Sequence, residues 1–177
     1  MPDHVRSRDF VKALRINIED HIIRWPDISW VFTYWNDKRG NRLAPSWRDI
    51  DLPEWPALII PRVMVFDVPG DQITLSVRFW GSNFVDIYGV EATNQLIRHE
   101  NPYEFMTVCW KQCQEVLADN TPKLYILKGS FLSLRTPYAI VLRLPLSSNG
   151  KSIDGILCVE EYRNHSEDMN DFFDAVG

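Results

Sequence analysis

Three cysteines, four histidines and a set of carboxylates are the residues in this chain whose types could do chemistry. Cys109 and Cys113 are four apart within a helical pattern, which sets them on one face of a helix, and Cys158 stands alone. The spacing matches no zinc-ligand pattern. A disulfide across i,i+4 is strained, because both Cβ vectors tilt the same way along the axis. All three are read as reduced packing residues, with a redox switch as the alternative. His4 and His165 lie near the ends, His21 lies beside an apolar stripe, and His99 sits between Arg98 and Glu100 in a polar stretch. None is spaced with a Cys, Asp or Glu as a metal site requires. There is no nucleophile elbow, phosphate loop or HExxH motif. The residue types point to no catalytic residue and no metal.

Composition narrows the class without naming it. The 177 residues, 45% hydrophobic and 24% charged, fit one globular domain with short extensions and exclude disorder, collagen-like repeats and coiled coil. The net charge of -5 is unevenly placed: Lys/Arg and Asp/Glu balance through residue 159, and the last eighteen residues hold six acids (Glu160, Glu161, Glu167, Asp168, Asp171, Asp174) against Arg163. A balanced body with no basic stripe argues against nucleic acid as a partner. Residues 1–15 carry no apolar signal core and no run approaches the length of a membrane span, so a cytoplasmic protein without membrane insertion is the expectation.

The elements that must position these groups follow from periodicity. Phe10, Val11, Leu14, Ile18 and Ile22 make one stripe, which predicts an amphipathic helix over residues 7–24. Trp25-Pro26 ends it, and Asp27 caps a second helix with Ile28, Val31, Phe32 and Trp35 inward, stopped by Gly40. Four prolines between 41 and 61, with Ser46 and Asp51 as local caps, predict one or two helical turns in an extended, packed passage. Val63, Val65 and Val68, the turn Pro69-Gly70-Asp71, and alternating Ile73, Leu75, Val77 and Phe79 predict a hairpin. Ser82 caps a helical turn that Gly89 stops, and residues 102–118 form a helix behind Pro102. Strands over 123–132, 138–146 and 153–159 come next as an antiparallel meander. Met169, Phe172, Phe173 and Val176 predict a terminal amphipathic helix with Ser166 as its cap and the acids opposite. The expected fold is α+β, a five-stranded antiparallel sheet with one face covered by helices and with N- and C-terminal flanking helices. Residues 1–60 are the helical flank and entry segment, 61–160 the core and 161–177 the acidic helix.

That order, and several motifs, resemble PAS domains, in particular a proteobacterial, often single-domain, PAS family. The motifs are Tyr34-Trp35 through Arg39-Gly40, Pro45 to Asp51, Trp55-Pro56, Val65 to Val68, Val77 to Ser82, Tyr88 to Thr93, Leu144-Pro145-Leu146 and Gly155-Ile156-Leu157. Ser82 departs from the family's usual Thr but keeps the hydroxyl, and Asn94 replaces a frequent Gly. The resemblance implies a sensory or regulatory role exercised through protein contacts, with signalling proteins such as histidine kinases or regulators as partners. It also implies a homodimer and terminal helices (Phe10, Leu14 and Ile18; Phe172 and Phe173) that dimerise, dock or transmit the signal. Arg39, Arg48, Asp49 and Asp51 are expected to form ion pairs tying the entry segment to the sheet, and Arg78 belongs to the same structural motif. Gly81 and Gly89 supply close approach or positive φ.

A PAS domain holds ligands between helices and sheet. The residues here are Trp80, Phe84, Tyr88, Phe105, Cys109, Trp110, Tyr125 and Cys158, which either line an apolar cavity with polar handles or fill the core outright. Haem ligation through His99 is disfavoured by its charged neighbours. Cys109 lies in Thr-Val-Cys-Trp, which does not match the flavin-adduct context. Two competing readings are an enzyme or carrier with a cone-shaped fold of the ketosteroid-isomerase kind, using Asp86 or His99, and a purely structural dimerisation module.

Overall fold

The N-terminal apolar residues obey two periods at once. The computed structural model describes residues 11–129, 138–163 and 167–174, and there the period of two wins. Val11–Ile16 forms strand β1, antiparallel to residues 124–129, with Val11 opposite Gly129 and Ile16 opposite Leu124. Leu14 and Ile16 are half-buried against the core while Ala13 and Arg15 face solvent. A strand here satisfies the backbone groups of an otherwise open sheet edge, which a helix packed on the same spot would leave unpaired. From Val11 onward, the expected helix is therefore replaced by β1, a single turn α1 (Ile18–His21) and a 3-10 turn over Ile22–Arg24. Asn17 caps α1, accepting from the Asp20 amide at 3.3 Å. Phe10, His4, His165 and Ser166 lie outside the described residues.

Helix α2 (Pro26–Arg39) starts with proline at its first position, where the missing N–H costs nothing. Trp25, not Asp27, occupies the cap position, and the Asp27 carboxylate instead pairs with Arg62 at 2.6 Å. Ile28, Val31 and Trp35 are buried, and Gly40 closes the helix. The entry segment makes 3-10 turns at Trp47–Asp49, Leu52–Glu54 and Ile60–Arg62. Ser46 caps the first in a reciprocal box with Asp49, but Asp51 makes no side-chain cap on the second.

The hairpin forms as β2 (Val63–Asp67) and β3 (Leu75–Trp80). Val65 stands opposite Phe79 and Phe66 opposite Val77, so Arg78 is an extra residue, a bulge that re-aims Phe79 and Trp80. Helix α3 (Ser82–Tyr88) has Gly81, not Ser82, at its cap position, and no side chain caps it. A Cβ on Gly81 would lie 2.2 Å from the Pro61 carbonyl oxygen and 2.8 Å from that of Val63, both backbone. Gly89 takes the left-handed conformation, φ 69°, that ends α3. Replacing Gly81 by alanine should therefore cost about 1–3 kcal/mol in urea denaturation. Gly70→Ala, with nothing within 4 Å of its added Cβ, should be near neutral; equal effects of the two would disprove the close approach.

A two-residue strand β4 (Leu96–Ile97), which no sequence pattern announces, pairs with β3. Helix α4 (Glu104–Asp119) comes next, then β5 (Lys123–Gly129), β6 (Tyr138–Leu146), β7 (Gly155–Arg163) and helix α5 (Glu167–Asp174). The sheet is antiparallel, in the order β1-β5-β6-β7-β2-β3-β4.

This corrects the expected fold. Instead of five strands with flanking helices there are seven in a half-barrel, and the N-terminal flank supplies one of them. Both faces are covered. One buries Met64, Phe66, Val77, Tyr125 and Val141 against α3 and α4. The other buries Val63, Val65, Ile126, Leu142 and Leu157 under α2, the entry segment and α5. Every residue of β6 is buried, as a central strand sandwiched between two layers must be. Strand β7 runs to Arg163, so Glu160 and Glu161 belong to the sheet and not to the acidic tail. On α5, Phe173 packs on Tyr138 with Lys12 and Lys128 over its ring, and Phe172 meets His21 and Trp25. Among the described residues no helix is long and apolar enough to cross a membrane.

Candidate functional site

Alternation along β6 and β7 sends Arg143, Cys158 and Glu160 to the α4 side of the sheet, with Arg143 directly opposite Cys158. Arg143 and Glu160 are each 1% exposed. The guanidinium donates from Nε and Nη2 to Gln112 Oε1 of α4 (3.2 and 3.0 Å), and from Nη2 to Glu160 Oε1 at 3.4 Å. Its Nη1 faces the Met64 sulfur at 4.0 Å. Glu160 Oε2 accepts from the Tyr88 hydroxyl at 2.8 Å and from the Tyr162 hydroxyl. One carboxylate thus ties α3 to β7, and one guanidinium ties β6 to α4. Burial, with the Glu160 charge beside them, pushes both tyrosine hydroxyls well above the ordinary range, so they remain donors.

The three thiols lie against this centre, free and buried. Cys113 meets Cys109 on its own helix and Cys158 across on the sheet, and burial pushes its thiol up. Burial also opposes ionisation of Cys158, but the Cys113 thiol and the Arg143 charge outweigh it and hold Cys158 below the usual thiol range. Tyr125 donates to Glu115 at 2.9 Å, and burial raises its hydroxyl as well.

Six of the eight residues read as cavity lining (Trp80, Phe84, Tyr88, Cys109, Tyr125 and Cys158) belong to this buried cluster, with Phe105 and Trp110 packed against it. They fill space. Trp80 sits 5.2 Å from Phe84, Phe84 stacks on Tyr88 at 5.9 Å, and Tyr88 on Phe105 at 4.0 Å. Trp110 packs at the rim of the cluster, partly buried, its indole N–H donating to Ile73 O at 2.6 Å. His99 is exposed, its ring edge-on to Trp110 at 5.2 Å. Among the described residues no group of three or more His, Cys, Asp or Glu is placed to hold a metal ion.

Among the described residues, two voids that open at the surface stand out, and none of the eight lines either. One, about 370 Å³, lies between Trp47, Arg48, Asp67, Arg78 and Asp154. It unites Arg48 and Arg78 of the sequence motif, but the ion pairs differ from those expected: Asp49 pairs with Arg42 at 2.9 Å, Arg78 with Asp67 at 2.7 Å, and the Asp51 amide donates to the Tyr34 hydroxyl. Arg39 packs over the Trp35 ring and donates to Asn36.

The other void, about 580 Å³, lies where β7 runs past the start of β2. The pairing of β2 with β7 begins at Val63 opposite Val159, so residues 160–163 pair with β6 alone. It is walled by Asp27 of α2, Leu58 and Arg62 of the entry segment, Asn83, Asp86 and Ile87 of α3, and Glu161, Tyr162 and Arg163. Arg62 spans the gap, donating to Asp27, to Leu58 O at 3.1 Å and to Glu160 O at 3.3 Å. Glu161 is 8% exposed; its Oε1 accepts from Arg163, while its Oε2 and the Arg163 Nε are buried without a partner among the described residues. Burial, with Asp27 adding to it, pushes the Glu161 carboxyl up against the opposing pull of Arg163 and Arg62.

Of the residues walling this void, sequence patterning names Asp86 as a candidate acid, Asp27 as a helix cap, and Glu161 and Arg163 only as terminal charge. At the buried centre it names Tyr88, Tyr125 and the three cysteines but gives Glu160 only as terminal charge, and it misses Arg143, Gln112 and Tyr162. Arg143 carries a signal: it is the one charge in Ala139 to Leu146, a run otherwise apolar enough to be buried on both faces. No protein-family model, curated protein or solved structure matches this chain.

Proposed function

We propose that this chain is a non-catalytic regulatory domain that reads a small molecule in the void beside β7 and passes its occupancy, through the buried Arg143 centre, to a protein partner. One observation carries the reading: residues 160–163 alternate between the two sites. Among the described residues, Glu161 Oε2 and Arg163 Nε are buried without a partner behind the wall of the void, and Tyr162, which lines it, donates to Glu160 in the core. A group bound beside Tyr162 therefore acts on a hydrogen-bond chain that holds α3 through Tyr88 and α4 through Gln112. A buried ion pair is a poor stability device, since apolar residues of like volume often do as well, and this supports a role in coupling. The motif resemblance supports a signalling protein, a histidine kinase or a regulator, as the partner class.

The test is native mass spectrometry of freshly purified chain, with amide hydrogen exchange beside it. The expected result is a non-covalently retained small molecule, lost in Asn83→Trp, which fills the void from α3, and slower exchange along α4 when the void is occupied. A bare mass that stays bare after incubation with a small-metabolite library, with an unmoved thermal midpoint, would overturn the proposal.

A further inference from the structure

We infer that the smaller void, between the entry segment and one end of the sheet, is a second binding site, for a small planar organic monoanion, an aromatic carboxylate. It shares no residue with the void beside β7. What it takes follows from which of its side chains are accessible and which hydrogen-bonding capacity they still have.

One short turn, fixed against one corner of the sheet, makes the void. Ser46 and Asp49 close the 3-10 turn Trp47–Asp49 in a reciprocal cap, and Arg42 holds Asp49 at 2.9 Å. The Ser147 amide donates to Pro45 O at 2.9 Å and pins that turn to the end of β6. At the same corner Asp67 of β2, Gly155 of β7 and Leu146 of β6 lie in one row. Val65, Phe66 and Leu146 are 1%, 0% and 2% exposed, so they close the floor without offering surface. The accessible wall is made chiefly by half-buried Trp47, by exposed Arg48 and Arg78, and by the carboxylates Asp67 and Asp154.

The carboxylates are largely committed. Asp154 accepts the Ser148 amide on both oxygens at 3.1 Å and the Ser148 hydroxyl on one. Asp67 Oδ1 takes Arg78 Nε at 2.7 Å. The guanidiniums are not: among the described residues that of Arg48 has no hydrogen-bond or ion-pair partner, and Arg78 keeps both terminal nitrogens without an acceptor. Asp67 neutralises Arg78, which leaves Arg48 as the charge without a counter-ion. A group with one negative charge and two coplanar oxygens matches a guanidinium in charge and in fork geometry. A doubly charged phosphate fits less well, since Asp67 and Asp154 stand in the same wall. The Trp47 ring gives a flat apolar face for a ring carried on that carboxylate. At about 370 Å³ the void is near the small end of ligand pockets, roughly 300–1,000 Å³, which limits the ligand to one ring or little more.

Benzoate, acetate, benzamide and phenyl phosphate, each titrated calorimetrically into the full chain, separate these contributions. Benzoate should bind tightest. Acetate lacks the ring, benzamide lacks the charge, and phenyl phosphate above pH 7 is a dianion, so each should bind more weakly. Arg48→Gln should weaken benzoate by roughly tenfold, the worth of a hydrogen bond to a charged group. Arg48 is exposed, so the thermal midpoint should not move with it. Trp47→Leu should bring benzoate down toward acetate while leaving acetate unchanged, with circular dichroism establishing that the variant folds. Asn83→Trp, which fills the void beside β7, should leave benzoate binding as it is. Benzamide or phenyl phosphate binding as tightly as benzoate, or benzoate that survives Arg48→Gln or Trp47→Leu undiminished, would overturn the aromatic-carboxylate reading. Loss of benzoate in Asn83→Trp would move the binding to the other void and overturn this site. No heat from any probe at millimolar concentration would also overturn it, whatever the outcome at the void beside β7.

Discussion

Replacing Arg143 by methionine should lower stability by about 3–5 kcal/mol, read as a fall in the urea midpoint with an unchanged slope. The side chain is 1% exposed and its partner Glu160 equally so. Methionine matches the aliphatic stem but leaves the Glu160 carboxylate deep in the core with only the Tyr88 and Tyr162 hydroxyls to stabilise it. It also leaves Gln112 Oε1 without the two donors it now has. Glu160→Gln should cost less. It keeps an oxygen for the tyrosines and leaves the guanidinium its two hydrogen bonds to Gln112 Oε1, but it removes the counter-charge that a buried guanidinium needs. The double variant Arg143→Met with Glu160→Leu decides the interpretation. With both charges gone, most of the loss should return, because the penalty lies in the unpaired charge more than in the pair's absence. If the single change cost below about 1 kcal/mol, water would have to reach the pair, and the coupling role proposed for it would fall.

How much of this is legible in the sequence depends on whether local pattern or tertiary pairing sets the outcome. The hairpin, α4 and the β5-β6-β7 meander are locally specified, by alternation and by turns such as Asn149-Gly150, and they are readable from the residues alone. The N-terminal segment is not: Leu14 and Ile18 satisfy a helical stripe, while Leu14, Ile16 and Ile18 also satisfy a strand, and the free edge of β5 decides between them. A two-residue strand such as β4 has too few residues to carry a period at all. The Asp27 and Ser82 caps fail in one way, since each lies one or two positions inside its helix, behind Trp25 and Gly81. The net charge misleads most. Glu160, Glu161 and Arg163 read as the start of an acidic tail, because a polar run after an apolar strand resembles a strand end. Nothing local announces that β7 continues with one charge turned into the core and another toward a void.

Trp80→Ala should cost about 3–5 kcal/mol, and Phe79→Ala distinctly less. Simple alternation from Leu75 and Val77 would put Phe79 on the inner face and turn Trp80 outward. The bulge at Arg78 reverses this: after it, Trp80 joins Leu75 and Val77 under α3 at 6% exposure, while Phe79 is only partly buried on the other face. Trp80 packs on Phe84 and Tyr88 and donates its indole N–H to Val90 O at 2.9 Å. Its loss opens a cavity of indole size next to the Tyr88 that holds Glu160, and it leaves the carbonyl that fixes the exit of α3 without its donor. Phe79 loses only the partial burial it has. Guanidinium denaturation of the two variants, side by side, is the measurement. A larger loss at Phe79 than at Trp80 would mean that the strand runs without its bulge. It would also mean that the inner aromatic layer, and with it the seat of Tyr88, is wrongly placed.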